Sequence, residues 1–553
     1  MERVNDNDQT GATRHGGTAL VEALKAQGVE RVFCIPGESY LAALDGFFES
    51  GIDLVVARHE GGAAMMADAH GKLTGKAGVA FVTRGPGATN AASGIHVAMQ
   101  DSTPMVLFVG QVARDQRDRE AFQEVDYRAM FAPLAKWVAE IEVTERIPEY
   151  VSHAFHVAQS GRPGPVVLAL PEDMLSAACK AAVAPAATMV RSEPSEAALD
   201  DIVAALAGAE RPLVIVGGGG WSAEAAKAVA DFAEKWDLPV GTSFRCQDYI
   251  DNRSPQYVGD VGIGINPALA DMVKNADVIL ALGPRLGEMT TSGYTLFSVP
   301  DPEQTLIHVH LDPSEPGRVY RPDIAVAASP AATVIALAGR PAPDAKPWAA
   351  LRADAHAAMV EWRKPQATPG DVKMEQIVAH LSDVLPDDAI ITNGAGNYAA
   401  WLHRYYWHRS YRTQLAPTSG SMGYGLPAAV AAKLAHPERE VICLAGDGCF
   451  QMSATEFGTA CDYGANVVVI VSNNGVYGTI RMHQEKNYPG RPSGTGMRNP
   501  DFAAWARSYG AFGETVTRHE DFPAALERAR KAGGPALIEL KTDPAAISPR
   551  TKA

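Results

Sequence analysis

The chain has 553 residues, 64 acidic against 49 basic for a formal net charge of −15, and 46% of its residues are hydrophobic. That length favours several domains with sizeable cores, and the acidic balance argues for solubility and against a broad nucleic-acid surface. No apolar run reaches the roughly 18–20 residues of a spanning helix, and the polar start MERVNDNDQTGATRHGG has no apolar signal core, so a cytoplasmic protein with no membrane partner is expected.

The first segment, residues 15–180, alternates strand-like runs (RVFCIP, DLVVAR, GVAFVT, PMVLFVG) with Ala-rich helical stretches. Such alternation implies a parallel sheet flanked by helices. Pro36, Gly37 and Glu38 lie between RVFCIP and the helix-like YLAALDGFF, on the sheet edge where ligands usually bind. Glu60 follows DLVVARH, before a helix expected at Gly61. Gln111 ends the fourth run. AAVAPAATMVRSEPSEAA then reads as a linker with helix-start signals. The second segment, residues 190–345, has RPLVIVGGGG, ADVILALG and LIHVHLD as strands. Its run Gly217–Gly220 is followed by Trp221 and Ser222 and so lacks G-x-G-x-x-G; it reads as a tight strand-to-helix turn rather than a nicotinamide site. After the Pro-rich GRPAPDAKPW comes the third segment, residues 370–545, with AIITNGAG, EVICLAGDG, NVVVIVSNN and PALIELKTD. The fold class expected is α/β, three doubly wound parallel-sheet domains. Cys34, Cys179, Cys246, Cys443, Cys449 and Cys461 form no C-x-x-C pair and read as mostly buried thiols of a reducing cytosol, not a disulfide frame or zinc site.

The third segment holds the strongest chemical signal. Gly446-Asp447-Gly448 follows the strand EVICLA, Ser453 and Glu456 have capping-box spacing for a helix start, and Gly464 stops that helix before the next strand, which ends at Asn473-Asn474. In a βαβ unit both loops open on one edge of the sheet, which brings Asp447 and Asn474 together. A carboxylate and an amide oxygen are hard ligands, suited to a magnesium ion that takes further oxygens from phosphates, with a backbone carbonyl near Val476 completing the protein's share. The neighbouring glycines let the backbone approach a diphosphate closely.

G-D-G followed at this spacing by N-N resembles the thiamine diphosphate motif, and ARHEGGAAMMADAHGKLTGKAGVAFVTRGPGATN in the first segment resembles the acetolactate synthase branch. The resemblance covers nearly the whole chain and implies pyrimidine-binding, central and diphosphate-binding domains in that order. It implies that Glu60 hydrogen-bonds the aminopyrimidine ring and favours the imino tautomer that removes the C2 proton, work that calls for a buried carboxyl of shifted pKa. Pro36, Gly394, Gly396, Asn397, Tyr477 and Gly478 are implied cofactor neighbours. Met422 is the apolar prop of the bent cofactor, and the Gly420 carbonyl an acceptor for its exocyclic nitrogen. Gln111 is implied in catalysis, and Phe122, Gln123, Lys136, Met452 and Ile480 at the substrate. A homodimer or homotetramer follows, with Glu60 and Asp447 of one site on different chains.

Three departures mark this sequence. The branch holds FAD in its central domain through an arginine-phenylalanine-aspartate-aspartate-arginine pattern, replaced here by GPRLGEMTTSG, and its glycine loop becomes GDVGIGINPAL; Arg285 and Asp312 remain as anchors, and flavin is left open. Glu38 stands where the synthases have a small residue; its loop faces the thiazolium in related enzymes, which makes it a catalytic candidate to protonate the enamine or steer a polar substrate, the alternative being a cap of the following helix. NNGVYGTIRMHQE lacks the branch's usual tryptophan. The expected activity is decarboxylation of a 2-oxo acid with carboligation to a carbonyl acceptor, the alternative being a 2-oxoacid decarboxylase or a 2-hydroxyketone or aldehyde lyase. Retention of Glu60, Asp447 and Asn474 argues against a non-catalytic relative.

Overall fold

Runs such as Val79–Val82, Leu213–Val216 and Val469–Val471 are buried at every residue. Strands with this pattern need helices on both faces, which parallel sheets have. A computed structural model describes residues 14–190 and 192–550; the polar start of the chain lies outside them. The first part has β1 (Arg14–His15), β2 (Arg31–Cys34), β3 (Asp53–Val56), β4 (Gly78–Val82), β5 (Met105–Gln111), β6 (Trp137–Glu140), β7 (Pro165–Pro171) and β8 (Ala178–Cys179). β1 and β8 form a short antiparallel pair, and the other six form a parallel sheet in the order β3-β2-β4-β5-β7-β6.

The second sheet is β9 (Pro212–Val216), β10 (Val240–Ser243), β11 (Tyr257–Val261), β12 (Val278–Leu282), β13 (Thr305–His310) and β14 (Ile324–Ala327), ordered β11-β10-β9-β12-β13-β14. The third is β15 (Ile390–Asn393), β16 (Gln414–Leu415), β17 (Val441–Gly446), β18 (Val468–Asn473), β19 (Phe512–Val516) and β20 (Ala536–Lys541), ordered β16-β15-β17-β18-β20-β19. Both are parallel throughout. The expected three parallel-sheet α/β domains are present.

The described residues fall into two compact units, one of residues 14–71, 76–99 and 103–189, the other of residues 72–75, 100–102, 190 and 192–550. The central and C-terminal sheets share the second because a buried strip, residues 245–252, is spliced into C-terminal loops. Gln247 donates from Nε2 to His403 O at 2.9 Å, Asp248 Oδ2 accepts from Thr413 N and Gln414 N at 3.0 and 3.2 Å, and Asn252 Oδ1 accepts from His408 N at 3.1 Å. Buried polar side chains spent on main-chain partners of another sheet weld the two together.

One local expectation holds and one changes. Ser195, in the expected linker, does cap the helix Glu196–Ala207 by accepting from Ala198 N. The capping box at Ser453 and Glu456 does not form. A helix starts directly at Asp447 and runs to Gln451, a second begins at Glu456 with no side-chain cap, and the Ser453 hydroxyl donates instead to Gly423 O at 2.6 Å. Glu456 accepts from Thr459 within its own helix.

Candidate cofactor-binding and active site

Parallel strands end on a common edge, and the loops on that edge of the third sheet are where the predicted cofactor residues lie. β17 and β18 are neighbours, with Gly446 opposite Ser472. Asp447 therefore leaves the sheet beside Asn473, and Asn474 follows one residue later. The Asp447 carboxylate is buried. Its Oδ1 accepts from Gly448 N at 2.8 Å, and its Oδ2 from Gly475 N at 2.8 Å and Asn499 Nδ2 at 2.7 Å. Burial pushes its carboxyl above the usual range, against the downward pull of these N–H groups. The two asparagines divide the work. Asn473 is buried, donating to Glu539 Oε1 at 2.6 Å and accepting from Asn499 at 2.8 Å, whereas Asn474 is half-buried on the edge and its Oδ1 accepts from Val476 N at 3.0 Å. Pairing of Tyr477 N with Thr495 O and of Met497 N with Gly475 O braces the turn Val476, Tyr477, Gly478.

The glycines here are tight. A Cβ on Gly446 would lie 2.8 Å from the Tyr398 ring and one on Gly448 2.7 Å from the Tyr477 ring. One on Gly394 would lie 2.5 Å from Cys449 Sγ. Tyr398 and Cys449 tie three loops: Gly394 N donates to Tyr398 OH at 2.9 Å, that hydroxyl donates to Cys449 Sγ at 3.2 Å, and Gly423 N donates to the same sulfur at 3.3 Å. Gly396 has φ 142° and Gly420 φ 68°, conformations that suit glycine. Asn397 N and Oδ1 both bond the Thr479 hydroxyl, at 3.0 and 2.9 Å. Met422 is half-buried against the C-terminal core. Met452 and Ile480 are exposed, Ile480 on the helix Gly478–Asn487, which buries no residue.

The corresponding edge of the first sheet carries Pro36, Glu38, Glu60 and Gln111. Glu60 is the first residue of its helix, one place earlier than expected, and half-buried; its Oε2 accepts from Asn90 Nδ2 at 2.9 Å. Pro36 and Glu38 are exposed. Glu38 opens a short 3₁₀ turn without capping it through its side chain, and pairs with Arg84 Nη2 at 3.3 Å. Arg84 is buried; it also donates to Glu172 Oε2 at 2.8 Å and to the carbonyl of Phe122 at 3.2 Å. The Phe122 ring is exposed, and Gln123, at φ 66°, lies over Gly85. Gln111 is fully buried with both amide atoms on the main chain, accepting from Val112 N and donating to Val125 O, both at 2.9 Å. It holds the loop that carries Phe122.

Lys136 is separated from that group. It precedes β6, at the opposite edge of the sheet from Glu38, Glu60 and Phe122, and donates to the carbonyls of Val157 and Ser160 at 2.5 and 2.6 Å. A residue before a parallel strand and one after it stand on opposite edges, so Lys136 does not join Phe122 and Gln123 within this sheet.

Residues 14–130, 199–337 and 394–540 match the N-terminal TPP-binding, central and C-terminal TPP-binding domain models of the thiamine pyrophosphate enzymes. The acetolactate synthase isozyme 2 large subunit of Escherichia coli (strain K12) is 32% identical over 96% of this chain and 96% of its own length. The chain belongs to the thiamine pyrophosphate enzyme family. The acetolactate synthase large subunit of Parasynechococcus marenigrum (strain WH8102) is also 32% identical, over 96% of this chain and 87% of its own, and the probable one of Methanocaldococcus jannaschii is 30% identical over 97% and 93%.

The residues present fit the family's cofactor. The Asp447 carboxylate and Asn474 amide oxygen form a hard donor pair at one edge, and Gly446 and Gly448 leave no room for a side chain where a diphosphate would meet the main chain. Among the described residues no group of three or more His, Cys, Asp or Glu could hold a metal, so an ion at Asp447 would draw on amide, backbone and phosphate oxygens. The flavin anchors fit less well. Arg285 is engaged with Glu315 and Gln100, and Asp312 Oδ1 accepts from Ser314. The Gly217–Gly220 turn is closed by its own chain: Trp221 Nε1 donates to Gly217 O, Tyr249 OH to Gly218 O, and a Cβ on Gly218 would lie 1.9 Å from Gly283 O. This is the packing turn expected from its spacing. Among the described residues no helix is long and apolar enough to cross a membrane.

Arg84, Asn90, Tyr398, Cys449 and Asn499 went unseen in the sequence reading. Asn90 stands in the quoted TRGPGATN motif and so had a signal. Arg84 stands in the same motif, Tyr398 bonds Gly394 four places before it, and Cys449 and Asn499 act through contacts distant in sequence.

Proposed function

We propose that the chain is a thiamine diphosphate- and magnesium-dependent enzyme that decarboxylates a 2-oxo acid and joins the remainder to a carbonyl acceptor, as an acetolactate synthase-like carboligase. The observation that carries this reading is that Asp447 and Asn474 each follow directly on the ends of the neighbouring strands β17 and β18, in a chain similar to acetolactate synthase large subunits over nearly its full length. When bound, thiamine diphosphate supplies an acidic C2–H and an electron sink for the departing carboxylate's electrons.

In this reading Asp447, Asn474 and the Val476 carbonyl hold magnesium against the diphosphate, with Asn499 fixing the carboxylate. Gly394, Gly396 and Asn397 and the turn Val476, Tyr477, Gly478 receive the diphosphate. Met422 props the rings, and the Gly420 carbonyl accepts from the aminopyrimidine. Glu60 holds a proton at the pyrimidine nitrogen, and Asn90 orients its carboxylate. Phe122, Met452 and Ile480 offer the substrate exposed side chains, and Gln123 a half-buried one. The catalytic assembly is a homodimer or homotetramer whose sites take Glu60 from one chain and Asp447 from another, an arrangement that rests on family resemblance. The engaged anchors Arg285 and Asp312 support a central domain that works without flavin. Six free cysteines support a reducing, cytoplasmic setting.

A second reading, decarboxylation or lysis without ligation, is favoured by the Glu38–Arg84 pair, which puts a carboxylate where the synthases have a small residue. One experiment tests both: 2-oxo acids are screened for carbon dioxide release with and without aldehyde acceptors. Ligated product supports the carboligase. Release with aldehyde as the sole product supports a decarboxylase, cleavage of a 2-hydroxyketone to two carbonyl products without any release supports a lyase, and neither release nor cleavage overturns both readings.

A further inference from the structure

Arg245 belongs to the central domain but reaches the loops of the C-terminal sheet. It lies two residues past the end of β10, at φ 63°, an uncommon conformation for a residue with a side chain. It is 7% exposed, and its guanidinium stands over the Phe244 ring at 4.9 Å. Among the described residues it makes no ion pair. Nη1 donates to Pro417 O at 2.7 Å and Nη2 to Gly394 O at 2.9 Å, while Nε is buried without a hydrogen-bond partner.

Burying a charge with no carboxylate in contact is costly, and burial depresses the guanidinium's pKa although neighbours including Asp101 and Asp260 pull it the other way. Two charge-assisted bonds offset part of that cost. Their acceptors are informative. Gly394 opens the loop after β15 that carries Gly396 and Asn397, and Pro417 opens the loop after β16 that carries Gly420 and Met422. These strands are neighbours. A planar guanidinium fork holds two acceptors at a set separation, which a lysine ammonium on a flexible stem does not. Other residues of the buried strip, Gln247 and Asp248, bond the backbone and side chains around Gln414 and His403, away from these loops.

We propose that Arg245 is a positioning residue that fixes the spacing of the Gly394–Asn397 and Pro417–Gly423 loops, so that the central domain sets cofactor affinity without touching the cofactor. This rests on the reading of those loops as the thiamine diphosphate site. Its test uses the full-length apoprotein with wild type, Arg245→Lys and Arg245→Met. Affinity for thiamine diphosphate with magnesium is measured calorimetrically, and amide hydrogen exchange is followed at residues 394–398 and 417–423, with 105–111 as a control. Arg245→Met is expected to weaken binding about 10- to 100-fold and to speed exchange in both loops together while the control is unchanged. Arg245→Lys is expected to recover part of each effect. Binding within about twofold of wild type in both variants overturns the proposal, as does exchange that rises in one loop alone or throughout the chain. If wild type fails to bind thiamine diphosphate, the functional reading falls while coupled exchange still decides the role of Arg245. If Arg245→Met does not fold, Arg245→Lys carries both readouts, with partial weakening and paired loop exchange expected.

Discussion

Asp447 concentrates the physical tension of the site. Three N–H donors hold a buried carboxylate that desolvation disfavours, and a cation would relieve that cost. Asp447→Ala should abolish the magnesium dependence of thiamine diphosphate binding, and Asn499→Ala, which releases the carboxylate together with the bonds to Asn473 and Gln451, should cost about 10- to 100-fold in affinity. Calorimetric titration of each apoprotein with and without magnesium checks both, and equal affinities for Asp447→Ala and wild type sink the metal assignment. Glu60 makes a different kind of prediction because its role is to hold a proton. Glu60→Gln should bind cofactor within a few-fold of wild type yet slow exchange of the C2 proton by about 10²- to 10⁴-fold; unchanged exchange removes Glu60 from the chemistry. Glu38 is exposed and pairs with Arg84, a buried side chain also fixed by Glu172 and the Phe122 carbonyl. Glu38→Gly should raise the ratio of ligated product to aldehyde from one 2-oxo acid. Arg84→Met, which frees the same carboxylate, should move that ratio as well. A ratio unmoved by both leaves the pair a surface contact.

At the scale of elements, strands and edges were legible because parallel strands are apolar on both faces and end in loops of a distinct kind. Gly446-Asp447-Gly448 and Asn473-Asn474 announced their edge through glycine and hard oxygens. The capping box misled because its spacing fits two uses of one hydroxyl. Ser453 spends its proton on Gly423 O, a partner 30 positions away in sequence that no local pattern reveals. Ser453→Ala should therefore lower stability by about 1 kcal/mol in denaturant unfolding and raise exchange at Gly423; a loss of helix content after residue 456 would restore the capping role. Lys136 shows a further limit. Spacing along the chain locates a residue near a strand, but which end it occupies decides its edge, and Lys136 stands before β6. Arg245 was invisible for a third reason: its hydrogen-bond partners are main-chain carbonyls, which every residue has.

For the whole molecule, the splice at residues 245–252 makes two sheets one body, whereas the pairing of Glu60 with Asp447 is proposed between chains. Complementation tests that proposal. Inactive Glu60→Gln and Asp447→Ala chains, mixed and reassembled, should recover about a quarter of wild-type activity by random pairing in a two-fold dimer; no recovery, with exchange of chains shown by mass, places both residues of a site on one chain. Purified protein should lack stoichiometric flavin in its absorption spectrum, and a full flavin complement would overturn the reading of Arg285 and Asp312. The helix Gly478–Asn487 buries nothing although it starts at the turn assigned to the diphosphate. Apart from Thr479, which ties the helix to Asn397, its exposed side chains such as Ile480 contribute little to the free energy of folding, so mutation at them is buffered from the stability threshold that culls most core variants. Selection, natural or in the laboratory, has in that one helix a region where preference among reactants can drift while the scaffold stays intact.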